Sequence, residues 1–294
     1  MTTFTIDPRG PFSLYEQGVF GFGQNFDTRW DGVMRLAFCV DGYSAHAGVE
    51  VRQDGELLHC EMTGDADPAV VRRQVARVIS ADHDGHGFAA IGEQDPVIGA
   101  LQRVRPGLRP PQFYSPYEAA VWSVLSARRP ARQMAAVRDA LSRAHGTVFT
   151  LAGRECPALP APAQLLRVTE FPGIPELKLR RLHEVAKAAL DGQLAIDRLT
   201  AMDPDDAMRD LQRLPGIGPF YSALVVIRAC GLTDVLPTQE PKALDLVRRL
   251  YDLPATPSPQ QLAVLAEPWR PYRTWATVLV RAAGARLLES RAAA

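Results

Sequence analysis

The chain has 294 residues, of which 47% are hydrophobic and 22% charged, the composition of an ordinary globular protein long enough for two domains. No apolar run approaches a membrane span, and the N-terminal MTTFTIDPRG lacks the basic start and apolar stretch of a signal peptide, so a cytoplasmic location is expected. Net charge is zero, which at face value argues against a nucleic-acid partner, but the first 108 residues hold 9 Lys+Arg against 15 Asp+Glu and the remainder 24 against 18, so the C-terminal part is mildly basic.

Residues 1 to about 64 read as strand-rich. Phe4–Ile6, Met34–Val40, His46–Val51 and Leu57–Met62 alternate or run apolar, with Asp41-Gly42 and Asp54-Gly55 as turns. Asp67 can cap a helix from Pro68 to about Ser80, whose Val70, Val71, Val75 and Val78 fall at helical spacing. Asp82-His83-Asp84-Gly85-His86-Gly87 has the composition of a metal site but no known ligand spacing, and reads as a solvated polar loop. The four cysteines are equally scattered, and no metal is expected.

Pro96–Val104 reads as a short helix, and Arg105-Pro106-Gly107-Leu108-Arg109-Pro110-Pro111 as a connector. The boundary is set there, with an N-terminal mixed α/β domain over 1–108 and a helical body over 109–294. From Tyr117 onward the apolar spacing of three and four predicts helices almost throughout, many of them opening on proline. The fold class expected is mostly α with a small α+β domain at the front.

The most informative stretch is Leu214-Pro215-Gly216-Ile217-Gly218, a tight turn between two apolar helical segments. Glycines there admit unusual dihedrals and offer no Cβ against an approaching ligand. Pro219 and Phe220 then open a helix, whose free N–H groups and dipole suit a phosphate. Leu214, Gly216 and Gly218 are therefore candidate contacts to a nucleic-acid backbone, which needs no sequence readout. The second helix stops at Gly231, and a loop leads to Glu240-Pro241 and a further amphipathic helix.

This arrangement resembles the helix-hairpin-helix DNA glycosylases, and in particular the bacterial 3-methyladenine DNA glycosylase II group. Asp234-Val235-Leu236-Pro237-Thr238 matches that group's loop, with Gln239-Glu240 where it carries a pair of aspartates. Pro160–Leu166, Gly173–Leu182 and Trp269-Arg270-Pro271-Tyr272-Arg273-Thr274-Trp275-Ala276 are similar to further family segments in the same order. The resemblance implies an alkylation-repair glycosylase that flips a damaged base out of double-stranded DNA, works as a monomer, needs no cofactor, and holds at most a monovalent cation on hairpin carbonyls.

It also implies the site. Glu240, at a helix start that favours an anion, stands as the catalytic carboxylate beside the sugar, with its extra methylene the main departure from the family. Phe220, Tyr272, Trp275 and Trp269 stand as aromatics of the base pocket, where electron-poor purines stack. Arg128 stands where relatives place the apolar wedge that fills the vacated gap. Phe220 also occupies the position of the Schiff-base lysine of the bifunctional lyases, so a hydrolase is expected. The alternative is a lesion-binding protein of the same fold with impaired catalysis, since Glu240 replaces aspartate. Asp245, one turn further on, is a weaker candidate carboxylate, and Asp234 reads as a turn residue.

Overall fold

The computed structural model describes residues 2–21, 30–238 and 240–293. The front of the chain forms a four-stranded antiparallel sheet of order β1-β4-β3-β2, from β1 (Thr2–Ile6), β2 (Met34–Cys39), β3 (His46–Asp54) and β4 (Leu57–Thr63), with α1 (Leu14–Phe20) between the first two. Gly55, at φ 57°, turns β3 into β4, where Asp54 faces Leu57. One apolar face, including Phe38, Val49 and Met62, receives Val71, Val75 and Val78 of α2 (Pro68–Val78). Asp67 caps that helix as its sequence requires, accepting from the Ala69 amide.

The polar run after α2 is a helix start and not a solvated loop. Asp84 accepts from the His86 amide and caps α3 (Gly85–Gln94), so the residues that resembled metal ligands serve a helix terminus. Among the described residues no group of three or more His, Cys, Asp or Glu is placed to hold a metal ion. Asp95 ends α3 and caps α4 (Pro96–Val104) through the Val97 and Ile98 amides.

The body follows as α5 (Pro116–Ser126), α6 (Ala131–His145), β5 (Thr147–Leu151), β6 (Arg154–Ala158), α7 (Pro162–Leu165), α8 (Glu176–Leu190), α9 (Ile196–Thr200), α10 (Pro204–Leu211), α11 (Pro219–Ala229), α12 (Pro241–Leu250), α13 (Pro259–Leu265) and α14 (Arg273–Ala292). Proline takes the first turn of most of these helices, where its missing donor is not needed. The β5–β6 hairpin interrupts the expected helical run. Its turn, Ala152-Gly153, has both residues at positive φ (43° and 73°), which suits a two-residue hairpin but lacks the Asn-Gly or Asp-Gly signature that announces one. It lies on β2 and β3, where Gly48 leaves room for the Phe149 ring, 2.7 Å from where a Cβ would stand.

Three large apolar cores organise the described residues, and they divide the chain differently from the sequence boundary. The sheet with α2 forms one core, and α5, α6, α8, α10 and α11 form a second. In the third, Phe88, Ile98, Leu101 and Leu108 pack against Leu246, Leu250, Trp269, Trp275 and Leu279. The third core crosses residue 108: α3 and α4 pack on the C-terminal helices, covering the apolar faces of α12 and α14. Arg109 joins the parts from within. All of its N–H groups are used, Nε on Pro11 O, Nη1 on Ser80 O and His83 O, and Nη2 on Arg9 O and Gly10 O, between the rings of Phe12 and Trp275. Burial draws its guanidinium down to about 10, so it stays charged at neutral pH and the carbonyls compensate that charge. Among the described residues no helix is long and apolar enough to cross a membrane.

Candidate nucleic-acid interface

The hairpin between α10 and α11 is built as its glycines demand. The Ile217 amide closes the turn on Leu214 O, and the Ile217 side chain is buried in the second core. Gly216 lies at φ +97°, and a Cβ there would stand 2.9 Å from Arg181 Cδ. Gly218, at φ −95°, needs no glycine for its dihedrals, but it faces open space and caps α11 without any side-chain acceptor. The first-turn amides of α11 therefore meet solvent over a surface with no Cβ, as backbone–phosphate contact requires. Leu214 is half-buried and packs on the second core, so its side chain anchors the turn. The turn offers carbonyls and no carboxylate, a donor set compatible with a weakly held monovalent cation and poor for a divalent one.

Cations gather next to this turn. Lys178, in the first turn of α8, donates to Leu125 O (2.5 Å) and Ala127 O (3.1 Å), the orphan carbonyls at the end of α5. Partial burial lowers its pKa, and so do the like charges of Arg129 and Arg181. Arg128 follows at φ 57°, exposed on the tight turn that Lys178 holds. Arg128, Arg129, Lys178, Arg181 and the Gly216 turn thus form one basic face from segments far apart in sequence.

The expected base-pocket aromatics separate into two groups. Phe220 is 51% exposed at the start of α11, edge-on to Tyr221 at 5.3 Å. Trp269 and Trp275 are 0% exposed and belong to the third core. Trp269 Nε1 donates to Asp95 Oδ2, which Tyr251 also reaches, and Trp275 packs on His83, Phe88 and Tyr272. Tyr272 is also buried, its hydroxyl donating to Asp84 O. The residues that cover them are α3 and α4, which the sequence reading had placed in another domain.

The loop from α11 to α12 is laid along α14. The Thr274 amide donates to Thr233 O, and the Thr274 hydroxyl both accepts from the Val235 amide and donates to Val235 O. Asp234 accepts from Arg273 Nε and Nη2 and from Arg270 Nη1, so it is a structural anchor. At the loop's far end Glu240 occupies the N-cap of α12 in extended geometry (φ −105°, ψ 99°), yet its carboxylate caps no amide. Its Oε1 lies 2.9 Å from Arg281 Nε, and its side chain is 30% exposed. Arg281 was not singled out from sequence, although Thr274, Thr277 and Arg281 share one helical face and that spacing could have found it. Asp245 is exposed and paired with Arg248, away from this line. Gln239 lies outside the described residues.

A helical body around a helix-hairpin-helix, with a carboxylate at the start of the next helix, defines the fold of the helix-hairpin-helix DNA glycosylases. No protein-family model matches the chain. It is 27% identical over 205 residues, 68% of its own length and 40% of the relative's, to the probable bifunctional transcriptional activator/DNA repair enzyme AlkA of Mycobacterium tuberculosis. It is 21% identical over 201 residues to the DNA-3-methyladenine glycosylase of Bacillus subtilis, covering 67% of this chain and 66% of that one. The chain therefore spans less than two thirds of the length of either relative. The 3-methyladenine DNA-glycosylase of Archaeoglobus fulgidus superposes with a TM-score of 0.75 at 17% identity, over 94% of this chain and 96% of that one. The chain thus has the fold of the helix-hairpin-helix DNA glycosylases and is similar in sequence to DNA-3-methyladenine glycosylases.

Proposed function

We propose that the chain is a monofunctional DNA-base glycosylase that hydrolyses the N-glycosidic bond of alkylated purines of the 3-methyladenine and 7-methylguanine type in double-stranded DNA, in base excision repair, as a monomer in the cytoplasm. The observation that carries this reading is Glu240, a half-exposed carboxylate at the start of α12 that caps no backbone amide. A helix-start acid that leaves the cap unfilled, paired to Arg281 through Oε1, keeps acceptor capacity for an external positive charge. When the bond to the base breaks, its electron pair leaves with the base and positive charge grows at C1′. Glu240 stabilises that charge and accepts a proton from the water that adds to C1′. The Gly216–Gly218 turn and the α11 amides grip phosphate, and Phe220 supplies the exposed ring on which a cationic purine stacks. The names of the relatives, a DNA repair enzyme and a DNA-3-methyladenine glycosylase, point the same way.

The deciding experiment incubates the protein with duplex DNA carrying 7-methylguanine and measures free base by chromatography. Release of the methylated base, with an intact abasic strand left behind, is the expected result. Binding to that duplex with no release under single-turnover conditions would reduce the molecule to a lesion binder.

A further inference from the structure

An enzyme that flips a nucleotide must keep the stack from closing behind it, commonly with an apolar side chain inserted at the gap. At the position of the family wedge this chain has Arg128, a cation on an exposed turn. The same face carries an unexplained apolar residue. Leu177, in the first turn of α8, is 51% exposed, one of few large hydrophobic side chains left in water among the described residues. It precedes Lys178, whose ammonium is fastened to the carbonyls of Leu125 and Ala127, so Leu177 is held beside the Arg128 turn. Arg180 and Arg181 follow one turn on in α8, the charges of Arg129 and Arg181 act on the neighbouring Lys178, and a Cβ at Gly216 would meet Arg181. The acid in that turn, Glu176, is paired with Arg180. Pro175, the N-cap residue, provides no side-chain hydrogen bond, so the α8 amides also face outward.

We propose that Leu177 is the gap-filling residue, inserting into the DNA stack beside the flipped nucleotide while Arg128 contacts a phosphate. An isolated apolar tip beside cations fits a polyanion with an opened hydrophobic interior, because the cations hold the backbone while the tip leaves water only where bases have parted. Lys178 makes the device rigid, since it ties the wedge to the end of α5 and the turn is not free to withdraw. The inference rests on the base-flipping reading above and moves the wedge from the α5–α6 turn to the start of α8.

The test compares binding, by fluorescence anisotropy, to an intact duplex and to one with a central tetrahydrofuran abasic site. The wild type prefers the duplex with the abasic site. Leu177→Ala loses about tenfold of that preference, the scale of one leucine's burial, with affinity for intact duplex unchanged. Leu177→Met keeps the preference, and Arg128→Ala weakens both complexes by the same factor. Leu177 is exposed, so neither substitution disturbs the core. If Leu177→Ala keeps the full preference, or if Arg128→Ala alone abolishes it, Leu177 is not the wedge, although the protein still flips bases. A wild type that binds both duplexes equally removes the base-flipping reading as well.

Discussion

The two ends of the loop between α11 and α12 each carry a carboxylate, and they are held in opposite ways. Asp234 is saturated: two arginines supply three charge-assisted side-chain hydrogen bonds, and the Arg273 amide adds a fourth. Glu240 has one ion pair, to Arg281, caps nothing and keeps part of its surface in water. An acid whose acceptor sites are all engaged fixes the chain, whereas one left with acceptor capacity can respond to a new charge. The loop is therefore anchored at one end so that the carboxylate at the other end has a defined place.

Exchanging the roles of the two ends gives the largest expected effect. Glu240→Gln keeps the shape and removes the charge, and should lower single-turnover base release about a thousandfold, with affinity for the lesion duplex changed less than about twofold. Activity that survives this substitution would move catalysis away from Glu240.

The aromatics sharpen the same contrast between scaffold and site. Trp275→Ala should lower unfolding free energy by about 3–5 kcal/mol, read from urea denaturation, because the ring is enclosed by α3 and α14. Phe220→Ala should change stability by less than about 0.5 kcal/mol and instead reduce capture of lesion DNA relative to undamaged duplex. A stability loss at Phe220 comparable to that at Trp275 would show that both rings serve the fold.

An effect smaller than that at Trp275 is expected at the anchor. Asp234→Asn removes charge from a half-exposed cluster and should cost about 1–2 kcal/mol. It should also reduce the rate of base release with little change in substrate affinity, since the loop that presents Glu240 loosens. A variant with wild-type rate and lowered stability would confine Asp234 to a structural part with no influence on the distant carboxylate.

Much of this was legible one segment at a time. The apolar run of Met34–Cys39, the alternation of Leu57–Thr63, the Asp67 cap and the Leu214–Gly218 turn each rest on neighbours within a few residues, so their signals survive in the bare sequence. The α3 cap was visible in principle, since Asp84 precedes a glycine-rich apolar stretch, but the polar run around it reads as a solvated loop. The Ala152-Gly153 hairpin was missed because its turn residues carry no strong local code.

By itself the sequence determined the hairpin and the position of Glu240 before Pro241, because each depends on residue type at short spacing. Tertiary structure alone decided which aromatics meet solvent, which lobe owns α3 and α4, and which arginine faces Glu240. The physical reason is that amphipathic spacing says that a helix face must be covered and says nothing of what covers it. Trp269 and Trp275 looked like a pocket until α3 and α4 closed over them, while Leu177 carries a core residue's side chain at a place where the fold leaves it in water.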